Sequence, residues 1–319
     1  MTFEDIEQSR KDFTETRRHA VLKSSITTFV ISVAVFALIS IYVTASSKSV
    51  NPPSVFIMIP PAIVISLFLA IMLGCIKHYT SDNNLLYKKY QQNYVEYFIT
   101  PTLKKFFTNV KYRQETEESF QSYCPFIPSA ESEKITNYLA AKYKNINFEQ
   151  CNLCKFSIFP AYSINDGMEI KFIGHYLCID FNQSFKTDIL ICGKKYRYFP
   201  KSRIKRTLEY KRVHTDIPGI EKSYKIYGKK QNDIKQLVDS DFVSKLQKID
   251  YIYNGNFMIS FYGQECYVTF NDVDVFREPN PKKNINEAEE FAKIEQNIRK
   301  IIEPIELFNS KKYLKEAKQ

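Results

Sequence analysis

The stretch NFEQCNLCKFSIF at residues 147–159, followed by EIKFIGHYLCIDF at 169–181, is where the hydrophobic period of the chain becomes two. Side chains alternate across a strand, so both segments read as strands, separated by the turn signal Asn165-Asp166-Gly167. Working outward, residues 187–191 and 224–227 continue the strand pattern. Residues 257–262 and 265–270 form a hairpin about Tyr262-Gly263-Gln264. Helical spacing holds over 232–249, where Ile234, Leu237, Val238, Phe242 and Leu246 share a face. It also holds over 129–144, with Ile135, Tyr138, Leu139 and Tyr143 on one side. Residues 85–110 predict two consecutive helices divided at Thr100-Pro101, because proline suits a first helical position. The tail, 286–318, predicts helix with a break at Pro304. Hairpin-joined strands with helices before, between and after them predict an α+β domain with a mostly antiparallel sheet.

Upstream, residues 24–47 and 49–76 carry no charge except Lys48 between them. The cores of these runs, about 24–45 and 55–76, exceed the roughly 20 residues needed to cross hydrocarbon. The short link contains Asn51-Pro52-Pro53 and predicts a two-helix transmembrane hairpin. Arg10, Lys11, Arg17, Arg18 and Lys23 precede the first span, and Lys77, Lys88 and Lys89 follow the second. The positive-inside rule then places both termini in the cytoplasm of a multi-pass inner-membrane protein. With only Ser32, Ser40 and Ser66 as polar groups towards mid-membrane, and no acid or base, the hairpin reads as an anchor and not as a transport path. A leader cleaved after Val43-Thr44-Ala45 is the rival reading. The expected organisation is an N-terminal helix at 1–23, the hairpin at 24–76, helices at 77–145, the α+β domain at 146–281 and C-terminal helices at 282–319.

Three later segments have a recognisable order. They are IKFIGHYL at 170–177 followed by Asp180-Phe181-Asn182, YKIY at 224–227 leading into Leu237 and FVSKL at 242–246, and NGNFMISF at 254–261 followed by DVFREP at 274–279. With the two early spans, this order resembles an uncharacterised bacterial membrane protein family, domain of unknown function family 3137. The resemblance covers nearly the whole chain. It implies two N-terminal transmembrane helices and a cytoplasmic α+β domain, and brings no activity, cofactor or catalytic residue.

The net charge is +10 with a pI near 9.0. Abundant Lys, Ile and Asn with only 8 Gly point to an AT-rich coding bias, which accounts for part of that charge. The 7 cysteines have no repeating framework, as expected of reduced, buried thiols. Cys151, Cys154, His175 and Cys178 have the residue types of a structural zinc site. Residues three apart on a strand face opposite ways, however, so no metal is expected. Residues 194–212 concentrate charge: Lys194, Lys195, Arg197, Lys201, Arg203, Lys205, Arg206, Lys211 and Arg212 stand against Glu209, interleaved with Tyr196, Tyr198, Phe199 and Tyr210. Such a loop is either simply solvated or contacts anionic lipid headgroups. Nucleic acid is disfavoured because no binding module surrounds the loop. His214 near Asp216 and the pair Asp272 and Asp274 read as solvated, and no phosphate loop or hydrolase motif occurs. The function expected is a membrane-anchored interaction or scaffold protein with an unidentified protein partner and no cofactor. The alternatives are an enzyme whose site is assembled from distant residues, and lipid or nucleic-acid contact through the basic loop.

Overall fold

A computed structural model describes residues 1–46, 72, 85–116, 126–128, 130, 132–158, 168–198, 209–271, 275–310 and 313–314. The chain divides into two compact units. One is Met1–Tyr97 with Glu278–Glu287, and the other is Phe98–Arg277 with Ala288–Gln319.

In the first unit α1 (Phe3–Ser46) is one continuous helix, where the sequence suggested a separate helix before the first span. Ile6 and Phe13 are buried on its first turns, as are Tyr90 and Tyr94 of α2 (Leu85–Tyr94), and the Phe13 and Tyr87 rings lie 5.1 Å apart. Arg10, one of the cations that precede the first expected span, is buried. Its guanidinium forks onto Glu7 at 2.8 Å and donates to the Pro281 carbonyl at 2.9 Å and to Asn284 Oδ1 at 3.0 Å. Tyr87 and Gln91 donate to Glu278, and Tyr90 to the Pro279 carbonyl. These bonds strap residues 278–287 onto the two helices. Burial would lift the Glu7 carboxyl, but the Arg10 hydrogen bonds and charge outweigh it and hold the pKa below its ordinary value.

Among the described residues no helix is long and apolar enough to cross a membrane. The side chains of residues 36, 39, 40 and 42–46 lie outside that description, and so does the second expected span apart from Met72. The transmembrane hairpin is therefore not part of the described fold.

The second unit is built on a nine-stranded antiparallel sheet in the order β1-β2-β3-β4-β9-β8-β5-β7-β6. Its strands are β1 (Thr108–Thr116), β2 (Ser132–Tyr143), β3 (Ile146–Ile158), β4 (Met168–Asp180), β5 (Ile189–Gly193), β6 (Lys211–Arg212), β7 (Tyr224–Gly228), β8 (Phe257–Tyr262) and β9 (Glu265–Asn271). The helices are α3 (Thr100–Phe106), α4 (Ile220–Ser223), α5 (Gln231–Leu237), α6 (Ser240–Tyr253) and α7 (Glu287–Phe308). This is the expected α+β class. The hairpin β8–β9 inserts between β4 and β5, and the chain between those strands wraps its turn, with Phe181 and Phe185 donating to the Gln264 and Gly263 carbonyls.

Both faces of the central strands are covered. Against one face lie α6 and α7, where Phe242, Tyr253 and Phe308 meet Phe257, Phe261 and Phe270. On the other face Cys151, Phe172, Tyr176, Leu190, Cys192, Met258 and Tyr267 form a core with Phe126, Tyr196 and Tyr210. A strand buried on both faces loses its polar alternation, as the run of five buried residues in β5 shows. Gly174 in the centre of β4 answers to a packing demand: a Cβ there would lie 2.3 Å from the Phe270 carbonyl oxygen of β9.

Three expectations are corrected. Residues 129–144 are not a helix but contain β2. A bulge at Asn137 (φ 53°) adds a residue between Thr136 and Leu139, so Ile135, opposite Leu153, and Leu139, opposite Gln150, face opposite sides of the sheet. The sheet consequently begins at Thr108 and not near residue 146. The helix expected over 232–249 is two helices, because Asp239 caps α6 by accepting from the Phe242 amide at 3.0 Å. Finally, α7 passes through Pro304 instead of breaking there.

Candidate functional site

The sheet pairing builds a groove on the face opposite α6 and α7. One cross-strand row runs Lys111, Ala140, Glu149, Cys178 and Tyr267, each the register partner of the next. The adjacent row runs Lys142, Asn147, Asp180 and Glu265. Residues from both rows, with Asn109, Val110, Ala141 and Phe148, line an open groove of about 650 Å³. The small Ala140 between longer neighbours leaves the hollow, since facing side chains in a row are close neighbours.

Charge is graded along the groove. Lys111 and Lys142 stand on the β1–β2 side, and Glu149, Asp180 and Glu265 on the β3–β4–β9 side. Tyrosines engage the acids. Tyr267 donates to Glu265, and burial together with the Glu149 charge pushes the Tyr138 hydroxyl up to about 12. Asp180 accepts from the Asn182 amide at 2.8 Å. A ligand with charges of both signs would match this gradient, its acidic end at the lysines. Of the lining residues the sequence singled out Cys178, as a weighed zinc ligand, and quoted Asp180 within a family segment, but assigned neither to a groove. Each sits among ordinary alternating polar positions, and the register alone brings them together.

The four residues weighed for zinc are not gathered. Cys151 and Cys178 are buried on the groove face, whereas Cys154 and His175 project from the other, and among the described residues no group of three or more ligating side chains could hold a metal. Burial pushes the Cys151, Cys192 and Cys266 thiols well up, as suits cysteines used as apolar filling. His175 is buried, stacks on Phe270 at 4.4 Å and places Nδ1 3.3 Å from Asn152 Oδ1. Burial, with the Lys300 charge, lowers its pKa to about 3. Asn152 also brackets Val275, donating to its carbonyl and accepting from its amide.

Of the basic loop, Lys201, Arg203, Lys205 and Arg206 lie outside the described residues. Lys194, Lys195, Arg197, Lys211 and Arg212 are exposed, and Lys195 donates to Asn254 at 2.7 Å. Of the interleaved aromatics, Tyr198 is half-buried and Phe199 lies outside the described residues. Tyr196 and Tyr210 are buried, and the Tyr196 hydroxyl is 2.8 Å from Thr269 Oγ1. His214 pairs with Glu221 at 3.0 Å rather than with Asp216. Asp272 and Asp274 lie outside the described residues.

No curated protein matches the chain. Among solved structures, the mycobacterial trehalose monomycolate transport factor A, TtfA, is similar at a TM-score of 0.37 and 8% identity, over 66% of this chain and 91% of that one. That likeness is too slight to carry fold or function across. Residues 170–310 match the family described as "Protein of unknown function (DUF3137)". The match spans β4 to α7, holds all three quoted segments, and leaves out the early apolar runs that the resemblance had included.

Proposed function

We propose that the chain is an interaction or scaffold protein anchored in the inner membrane through residues 24–76, with both termini and the sheet domain in the cytoplasm. The observation that carries the membrane reading is the outer surface of α1. Ile26, Val30, Ile31, Val35, Leu38 and Ile41 are 49% to 66% exposed. At about 100° per residue, with Val33, they cover roughly 200° of the helix circumference. A helix in water turns its apolar stripe to a core, and one with apolar side chains facing outward needs hydrocarbon around it. The uncharged run within α1, residues 24–46, rises about 33 Å along the helix axis.

Binding rather than catalysis is favoured by the form of the groove, which is broad and open with graded charge rather than deep with ionisable groups converging on one point. A second reading, contact of residues 194–212 with an anionic surface, is favoured by the exposure of Lys194, Arg197, Lys211 and Arg212. Topology tests the main reading. A reporter active only outside the cytoplasm should work when inserted near Ser49 and be silent after Gln319. Silence at both positions, or activity at the C-terminus, would overturn the anchor as drawn.

A further inference from the structure

We propose that the groove on the sheet takes an extended peptide of a partner protein, laid across the strands. An acidic side chain of the peptide lies at Lys111 and Lys142, an apolar one over Ala140 and Cys178, and a basic one at Asp180 and Glu265. This deepens the binding reading above and rests on it. A one-residue bulge in β1 at Asn109 (φ 54°) builds the cationic end. Thr108 lies opposite Lys142 and Lys111 opposite Ala140, so Lys111 takes the place that unbroken pairing would give Val110. The two lysines thereby stand diagonally on one face, and neither is paired among the described residues. Uncharged residues hold them apart from the acids. Ala140 stands beside Lys111, and Asn147 separates Lys142 from Asp180.

The acidic end has acceptor capacity to spare. Asp180 and Glu265 are half-buried register partners. Asp180 accepts from the Asn182 amide and Glu265 from the Tyr267 hydroxyl, which leaves most of the roughly four acceptor sites on each carboxylate. Spacing then selects the ligand. Lys142, Asn147, Asp180 and Glu265 are successive partners on neighbouring strands, so the row spans about 14 Å at a strand spacing of about 4.8 Å. Side chains on one face of an extended peptide recur about every 6.8 Å, so an acid and a base four residues apart cover the same about 14 Å. The side chain midway between them falls over Ala140 and Cys178, the small and apolar part of the lining. A small zwitterion, its charges a few ångströms apart, reaches one end only. A surface of one sign, such as anionic lipid or nucleic acid, meets Asp180 and Glu265 as repulsion.

The test is selection of random heptapeptides displayed on phage by the full chain in a neutral detergent. Enriched peptides should carry an acid and a base four residues apart with an apolar residue midway. As free peptides they should bind at least about tenfold more tightly than versions with both charged residues changed to glutamine. Lys111→Glu with Lys142→Glu, at unpaired positions, should melt as the wild type does. It should lose these peptides by about tenfold and select peptides with bases at both ends instead. Glu265→Lys should conversely favour acids at both ends. An enriched set without the charge pattern, or binding that both charge reversals leave unchanged, would overturn the groove and still leave an interaction protein. No enrichment at all would overturn the groove and the interaction reading together. The membrane anchor stands or falls separately, on the reporter topology.

Discussion

His175 is fully buried, and its ring has traded water for Phe270 and Asn152. In the unfolded chain its pKa is near 6.5, while the fold lowers it to about 3. Between those values the unfolded state binds more protons, so His175 makes stability fall as the pH drops from 6.5 towards 3 and has no such effect above. The slope is at most about 1.4 kcal/mol per pH unit. Urea unfolding of wild type and His175→Phe between pH 7 and 4 should show a shallower loss in the variant, which keeps the stack on Phe270. Parallel pH profiles would show that the imidazole is not held neutral. In the sequence this residue stood out as a possible zinc ligand and within the quoted segment 170–177. What defines it is the β3–β4 register, which pairs it with Asn152 and turns it away from Cys178.

The longest helix of the second unit contains an internal proline. Pro304 has no amide hydrogen, so the Lys300 carbonyl one turn earlier loses its helical donor. The Tyr253 hydroxyl, at the end of α6, donates to that carbonyl at 2.6 Å. The same ring stacks on Phe270 at 4.3 Å. Tyr253→Phe should keep the stack and leave the part-buried carbonyl without its tyrosine donor, costing about 1 kcal/mol. With Pro304→Ala the backbone can supply the missing bond, so Tyr253→Phe should cost less in that background. Denaturant melts of the four proteins give the coupling, and equal costs in both backgrounds would refute this account. Pro304 was read as a break because sequence shows the missing donor. The replacement donor lies 47 residues away and is supplied by packing.

For the whole molecule, Phe98–Arg277 and Ala288–Gln319 make up a unit with its own sheet and aromatic cores on both sheet faces. A fragment starting at Phe98 should therefore fold in water without detergent, with cooperative unfolding and fixed near-ultraviolet dichroism from its tyrosines. A fragment that binds hydrophobic dyes and melts without cooperativity would show that the core needs the first unit. The full chain should need detergent or lipid because of the outward apolar surface of α1.

The sequence by itself determined what depends on neighbours a few residues apart. The period of two identified β3, β4, β8 and β9, and the turn at Tyr262-Gly263-Gln264 closed the last hairpin with Gly263 at φ 63°. Thr100-Pro101 marked the start of α3. Tertiary structure decided what depends on register and packing. The bulge at Asn137 is held by Gln150 donating to its carbonyl and Tyr112 to its side chain. The groove exists because Lys111, Glu149, Cys178 and Glu265, spread over more than 150 residues, fall in two adjacent rows on one face of the sheet. A shift of one residue in any strand would send its members to the opposite face, and only the buried cores on both sides of the sheet fix that choice.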